Sequence, residues 1–139
     1  MNAERKPLHV ELIPIRWRDM DALGHVNNMQ FFGYMEDARN KWLDGMRPIF
    51  QAEGVDTVIA NASCNYRKPF VYPGTVEVKI FVTRIGNTSV VTQYELRLQH
   101  EDTLYADGTG VLVWIDMATG KSARVPDVIR TYLRGQDTA

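Results

Sequence analysis

The chain has 139 residues, enough for one domain with a core of its own and too few for two ordinary domains. Hydrophobic residues make up 45% and charged residues 24%, the balance of a folded protein rather than of a disordered tail. With 16 Lys+Arg against 17 Asp+Glu the net charge is -1, which excludes a general electrostatic pull toward nucleic acid or an anionic membrane, so any anion site must be local. Cys64 is the only cysteine, so an intrachain disulfide and a cysteine metal cluster are excluded and a reducing compartment fits. The opening MNAERKPLHVELIPI has no apolar core of the signal-peptide kind, and VLVWI at 111–115 is far short of the roughly 20 apolar residues that span a bilayer. A single domain over 1–139 is expected, in the cytoplasm, with no nucleic-acid or membrane partner.

In chain order, His9 to Trp17 alternates and carries β-branched and aromatic residues, which predicts a first strand, followed by a loop from Arg18 to Asn27. From Asn28 to about Leu43, Phe31, Met35, Ala38 and Trp42 fall at i, i+4, i+7 and i+11, the spacing of one helix face. Asn27 or Asn28 can cap its first turn, and Asp44-Gly45 can end it in the left-handed geometry that Gly tolerates. Gly33, unfavourable inside a helix, predicts that another backbone comes close there. A short helical turn near Pro48 to Glu53 stops at Gly54, and the period then switches to two. Strands are predicted over Thr57–Arg67, Thr75–Arg84, Ser89–His100 and Leu104–Asp116, with a short helix after Pro126. In the third of these, Val90, Thr92, Tyr94, Leu96 and Leu98 share one face, as in a half-buried antiparallel strand. Hairpin-length connections at 85–88 and 101–103 make the last three strands a meander. One helix cannot cover both faces of such a sheet. Either the second face is wet or another subunit packs there, and self-association to a dimer or tetramer is expected.

The segment that carries chemistry is RWRDMDALGHVNNMQFFGYMEDAR, Arg16 to Arg39. It crowds two carboxylates, a histidine and two asparagines between the end of a strand and a helix start, where backbone N–H groups lack internal partners and favour negative charge. Such a place can hold a carbonyl oxygen becoming an oxyanion, with Asp21 close enough to act on the same carbon. On composition alone, the reading of Asp19 and Asp21 as turn formers, and of His25 and the asparagines as caps, comes ahead of the catalytic one.

The segment resembles the hotdog thioesterases related to 4-hydroxybenzoyl-CoA thioesterase. In these a strand ends in Asp-x-Asp, a Gly follows, and a long helix bears an aromatic face and a Glu-x-Ala-Arg ending; here these are Asp19-Met20-Asp21, Gly24, Phe31 to Tyr34 and Glu36-Asp37-Ala38-Arg39. The turns Tyr66-Arg67-Lys68-Pro69 with Tyr72-Pro73-Gly74-Thr75, and Arg84 to Ser89, are similar to those of the family, so the likeness covers most of 10–130. It implies an α+β hotdog fold, a long central helix wrapped by a five-stranded antiparallel sheet. It further implies that Asp21 is the catalytic carboxylate, that a backbone N–H near Asn28 polarises the thioester carbonyl, and that the substrate is an acyl-CoA. His25-Val26-Asn27-Asn28 is also similar to plant acyl-carrier-protein thioesterases, where Asp, Asn and His act together. Asp21 and His25 match, Leu23 replaces the Asn, and His25 is left as an orienting or water-binding partner.

No cofactor is expected beyond the coenzyme A of the substrate, and no metal, since His9, His25 and His100 are scattered. Asp21 would either attack the carbonyl or deprotonate a water that does. Glu36 is a competing acid whose structural alternative is an ion pair with Arg39 or a hydrogen bond with Asn40. Arg67 and Lys68 are candidates to grip the phosphates of coenzyme A, with plain surface solvation as the alternative. Ser89 could hydrogen-bond the same cofactor or simply shape its turn, and Arg124 is a weaker candidate. Cys64, in phase with Ala60, Ala62 and Tyr66, reads as a small hydrophobe rather than a nucleophile. Three function classes follow: an acyl-CoA thioesterase, a non-catalytic acyl-CoA sensor, and a hydratase or dehydratase on the same fold. The first is favoured by Asp21. Asp21 argues against the sensor, as the absence of an appended DNA-binding segment does against a regulator, and the third class needs a different His and acid arrangement.

Overall fold

Period-two alternation builds five strands in the computed structural model, which describes residues 5–137. These are β1 (His9–Pro14), β2 (Val55–Tyr66), β3 (Thr75–Ile85), β4 (Ser89–Leu98) and β5 (Ala106–Asp116), with helices α1 (Asn28–Asp44), α2 (Arg47–Gln51) and α3 (Asp127–Asp137). All pairings are antiparallel and the strand order is β1-β3-β4-β5-β2, so the last three strands to form in sequence are the expected meander. In β4, Val90, Thr92, Tyr94 and Leu96 are fully buried and their neighbours are not, as the alternation requires.

The inner face of the sheet packs against α1 and α3, whose Phe31, Met35, Ala38, Trp42, Ile129 and Leu133 join Val78, Ile80, Leu112 and Trp114 in one core. The outer face between β3 and β4 is polar instead. Glu77 and Lys79 lie opposite Arg97 and Glu95, and Arg97 donates to Glu95 at 2.8 Å. Exposed apolar side chains lie instead on the two edge strands, Val10 and Leu12 on β1 and Val58 and Ile59 on β2, which among the described residues pairs only with β5.

Several boundaries differ from the expectation. β1 stops at Pro14 because Trp17–Asp19 turns into a 3-10 helix. Gly45 keeps right-handed backbone angles (φ −67°), not left-handed ones, because the chain runs on almost directly into α2, which has a proline in its first turn. Among the described residues no backbone other than that of its own helix comes within 4 Å of a Cβ placed on Gly33, which would meet the Gln30 side chain at 3.3 Å. The close approach lies across the interface at Gly108 of β5. A Cβ there would stand 2.7 Å from Met35 Sδ and 2.6 Å from the Ser63 carbonyl oxygen, so the missing side chain lets α1 settle on the sheet. β5 begins at Ala106, two residues later than expected; Tyr105 just before it still donates to the Leu96 carbonyl at 2.8 Å, and its ring stacks on Phe70 with centroids 4.6 Å apart.

Candidate active site

The loop between β1 and α1 is built on Asp19. Its carboxylate is buried and Oδ2 accepts from the Arg16 N–H and from the Tyr34 hydroxyl, each at 2.9 Å, while its carbonyl accepts from the Asn27 N–H at 2.8 Å. One side chain therefore ties the 3-10 turn to the second turn of α1. Tyr34 is held neutral: burial raises its hydroxyl pKa well above the ordinary value, and the Asp19 carboxylate it donates to adds to the effect.

Two residues on, Asp21 turns the other way. Its N–H donates to the His25 carbonyl at 2.9 Å and its carbonyl accepts from the Gly24 N–H at 3.1 Å. Gly24 closes this small loop at φ +82°, in the left-handed region that glycine occupies without strain. Asp21 Oδ1 takes one donor, the Leu23 N–H at 2.9 Å, and the rest of the carboxylate faces a cavity of about 480 Å³.

Asn27 caps α1, its Oδ1 accepting from the Met29 N–H at 2.9 Å and its carbonyl from the Gln30 N–H at 2.9 Å. Asn28 is the first helical residue, so its N–H has no helical carbonyl, and among the described residues it donates to nothing. An unpaired amide at a helix start, on the wall that also carries Asp21, is suited to a developing oxyanion. The wall is stiffened by aromatic contacts. Phe31 stacks on Phe70 at 5.1 Å and meets Tyr66 edge-on at 5.0 Å, and the Tyr66 hydroxyl donates to the Asn28 carbonyl at 3.0 Å.

Asp21, His25, Asn28, Arg67 and Lys68 thus line one cavity. His25 is exposed and its imidazole makes no hydrogen bond to the described residues. Arg67 is already engaged: Nε and Nη2 reach Asp107 Oδ2 at 2.8 and 2.6 Å, and Asn65 holds the other carboxylate oxygen at 2.8 Å. Among the described residues the Lys68 ammonium has no carboxylate partner, and it lies 5.0 Å over the Tyr105 ring. Ser89 does not line this cavity. It starts β4, opposite Val113, whereas the cavity lies at the end where Tyr66, Ala106 and Leu96 align, roughly 24 Å away along the strand. Arg124 is at that far end too, donating to Asn87 and Asp127.

The expected pairing of Glu36 is not present. Neither Arg39 nor Asn40 bonds to it; Glu36 points outward, while Arg39 turns into the core and donates to the Tyr94 hydroxyl at 3.3 Å. Cys64 packs partly against the core, and burial, with the Asp107 charge adding, pushes its thiol up to about 11, as suits a small hydrophobe. Sequence reasoning missed Tyr66 and Asp107. Tyr66 stood within the quoted Tyr66-Arg67-Lys68-Pro69 turn, but nothing in the sequence paired Asp107 with Arg67 before the β2–β5 register was known.

The sequence pattern of the thioesterase-like superfamily matches residues 15–133. The chain belongs to that superfamily. This thioesterase is 28% identical over 126 residues to the long-chain acyl-CoA thioesterase FadM of Escherichia coli, covering 87% of this chain and 93% of that one. Among solved structures it is similar to the PA2801 protein of Pseudomonas aeruginosa (36% identity, TM-score 0.84, 92% of this chain and 99% of that chain). It is also similar to a Thermus thermophilus thioesterase complexed with coenzyme A and Zn (31% identity, TM-score 0.82, 96% of each chain). The thioesterase resemblance read from Asp19 to Arg39 is borne out, and so is the five-stranded antiparallel sheet.

Proposed function

We propose that this thioesterase hydrolyses acyl-CoA to the free acid and coenzyme A, with Asp21 as the reacting carboxylate. In this reading α1 is the central helix that the hotdog sheet wraps. The observation that carries it is the meeting, on one cavity wall, of the partly solvated Asp21 carboxylate and the unpaired Asn28 N–H. The thioester carbonyl oxygen sits at the Asn28 amide, which gains strength as charge builds on that oxygen. Asp21 then either attacks the carbonyl carbon, expelling the thiolate of coenzyme A and leaving an anhydride for water to open, or takes a proton from the water that attacks. Both routes give one carboxylic acid and one thiol. His25, free and beside Asp21, orients the water or the leaving group. Similarity to FadM and to a relative complexed with coenzyme A supports the choice of substrate.

Lys68 and Arg67 at the cavity mouth hold the phosphates, Lys68 directly and Arg67 in competition with Asp107. Ser89 contacts coenzyme A only if a second copy brings it, because it lies at the opposite end of β4. Self-association to a dimer or tetramer is part of this reading, supported by the free edge of β2 and the exposed Phe32, Val58, Ile59 and Tyr66 around it. No helix among the described residues is long and apolar enough to cross a membrane, and we place the protein in the cytoplasm.

The test is thiol release from a panel of acyl-CoA thioesters of differing chain length and aromaticity, with sedimentation equilibrium on the same sample. Turnover of at least one thioester by a dimer or tetramer is expected. Tight binding of the panel without thiol release would instead make the protein a sensor, and full activity in a micromolar monomer would remove the self-association.

A further inference from the structure

The amide assigned to the oxyanion is the first of α1, and a helix start is weakly constrained because its N–H groups are not tied to a preceding turn. Three hydrogen bonds hold it from the side of the loop, and all three belong to Asn27. The Asn27 N–H donates to the Asp19 carbonyl at 2.8 Å, while its Oδ1 accepts from the Met29 N–H and its carbonyl from the Gln30 N–H, each at 2.9 Å. From the other side comes Tyr66, the last residue of β2, whose hydroxyl donates to the Asn28 carbonyl at 3.0 Å. The two residues are 38 positions apart, so this bond ties the first turn of α1 to the sheet.

Tyr66 is itself held in place. It pairs with Ala106 at the end of the β2–β5 ladder, and the next two N–H groups, of Arg67 and Lys68, both donate to the Tyr105 carbonyl, at 2.9 and 3.0 Å. Its ring meets the buried Phe31 edge-on at 5.0 Å and borders the cavity that Asp21 faces. A phenylalanine would keep the ring contact, so packing does not call for the hydroxyl. Nor does stability depend much on it, because the bond is exposed and water can replace it. What the bond does fix is geometry. With Asn27 held on one side and the Asn28 carbonyl on the other, both backbone torsions of Asn28 are set, and with them the direction of its N–H.

Resting on the reading that the Asn28 N–H receives the thioester oxygen, we propose that Tyr66 is a positioning residue for the hydrolysis. Its hydroxyl holds the Asn28 backbone so that the N–H stays aimed at the oxygen as charge builds there. The bond is made within one protomer and requires no exposure of Tyr66. Deleting an oxyanion donor outright costs about 100-fold to 1,000-fold in kcat, and misplacing a reacting group by about 1 Å costs on the order of 100-fold. Loss of the Tyr66 hydroxyl leaves the three Asn27 bonds in place, so its effect is smaller than either.

Steady-state kinetics of Tyr66→Phe, Asn28→Pro and the double variant, on one acyl-CoA that the parent cleaves, decide this. Proline at the first helical position deletes the N–H and little else, since a helix start accepts its φ and Asn27 before it already has an extended ψ of 136°. Tyr66→Phe is expected to lower kcat about tenfold, with KM within about twofold and the melting temperature within a few degrees of the parent. Asn28→Pro is expected to lower kcat at least about 100-fold. Adding Tyr66→Phe to it should change kcat by no more than about twofold, because the group being positioned is gone. Unchanged kcat in Tyr66→Phe would overturn the proposal while leaving the thioesterase reading intact. So would a raised KM with kcat kept, which makes Tyr66 a substrate contact, or a further tenfold loss on top of Asn28→Pro. Normal turnover in Asn28→Pro, or a parent that cleaves no acyl-CoA, would overturn the oxyanion reading and the proposal with it. Should the proline variant fail to fold, the division between kcat and KM in Tyr66→Phe decides by itself.

Discussion

The loop before α1 has two halves that use the same residue type in opposite ways. In the Arg16–Asp19 half the side chains of Arg16, Trp17 and Arg18 stay exposed, but the Asp19 carboxylate, 6% exposed, is spent on the Arg16 N–H and the Tyr34 hydroxyl. From Asp21 to Asn28 the groups are left available: Asp21 takes one side-chain hydrogen bond, from its neighbour Leu23, the His25 ring none, and the Asn28 N–H none among the described residues. A carboxylate with its lone pairs filled by buried donors holds a structure in place. One that faces a cavity with lone pairs to spare is able to react. The motif Asp-x-Asp is therefore divided in structure, the first acid anchoring the loop and the second facing the cavity, and in the proposed function it is the second that reacts.

The sharpest way to break this division is to remove the anchor. Asp19→Ala strands the part-buried Arg16 N–H and the buried Tyr34 hydroxyl and is expected to lower stability by about 3 kcal/mol, two hydrogen bonds to a charged group, read from a urea melt. A loss under about 0.5 kcal/mol would mean that the anchoring half is held by something else.

Tyr34→Phe removes one of the same bonds and is expected to cost about 1 kcal/mol at neutral pH. The hydroxyl pKa in the folded protein is raised above its ordinary value of 10.0, so the unfolded chain loses that proton first. The stability contributed by Tyr34 is complete below pH 10 and is lost as pH rises beyond it. Melts at pH 8 and pH 11 should therefore converge for Tyr34→Phe relative to the parent.

At the open half, Lys68→Ala is expected to raise KM for an acyl-CoA several-fold at low salt with little change in kcat, and to flatten the salt dependence of KM. Arg67→Ala should raise KM less, since its guanidinium already shares Asp107 Oδ2 at 2.6 Å. If the order of these two is reversed, the phosphates displace Asp107 and the cavity mouth rearranges on binding.

Much of this was legible in the sequence because local periodicity and capping chemistry fix local structure. The i, i+4, i+7, i+11 spacing placed α1 to within a residue, alternation placed the buried face of β4, and the Asn27-Asn28 pair marked the helix start. What escaped depends on contacts between distant segments. Gly33 looked like the point of close approach because glycine is costly in a helix, but the approach is made at Gly108, and only the β5 register puts that residue under Met35. Glu36 and Arg39 looked like a helical ion pair, and the core claimed the arginine through Tyr94, a residue 55 positions away. Nor could spacing alone tell Asp19 from Asp21. They differ in burial, which the packing of Tyr34 decides.

The most direct test of the division is kcat for Asp21→Asn at saturating acyl-CoA, with the melting temperature taken on the same sample. Asparagine keeps the shape of the side chain and can still accept the Leu23 N–H, so the melting temperature should stay within a few degrees of the parent. Removing the charge should lower kcat by at least about 100-fold, the lower end for losing a general base. Near-normal turnover in Asp21→Asn, with turnover abolished in Glu36→Gln, would contradict the account and move the chemistry to the helix carboxylate.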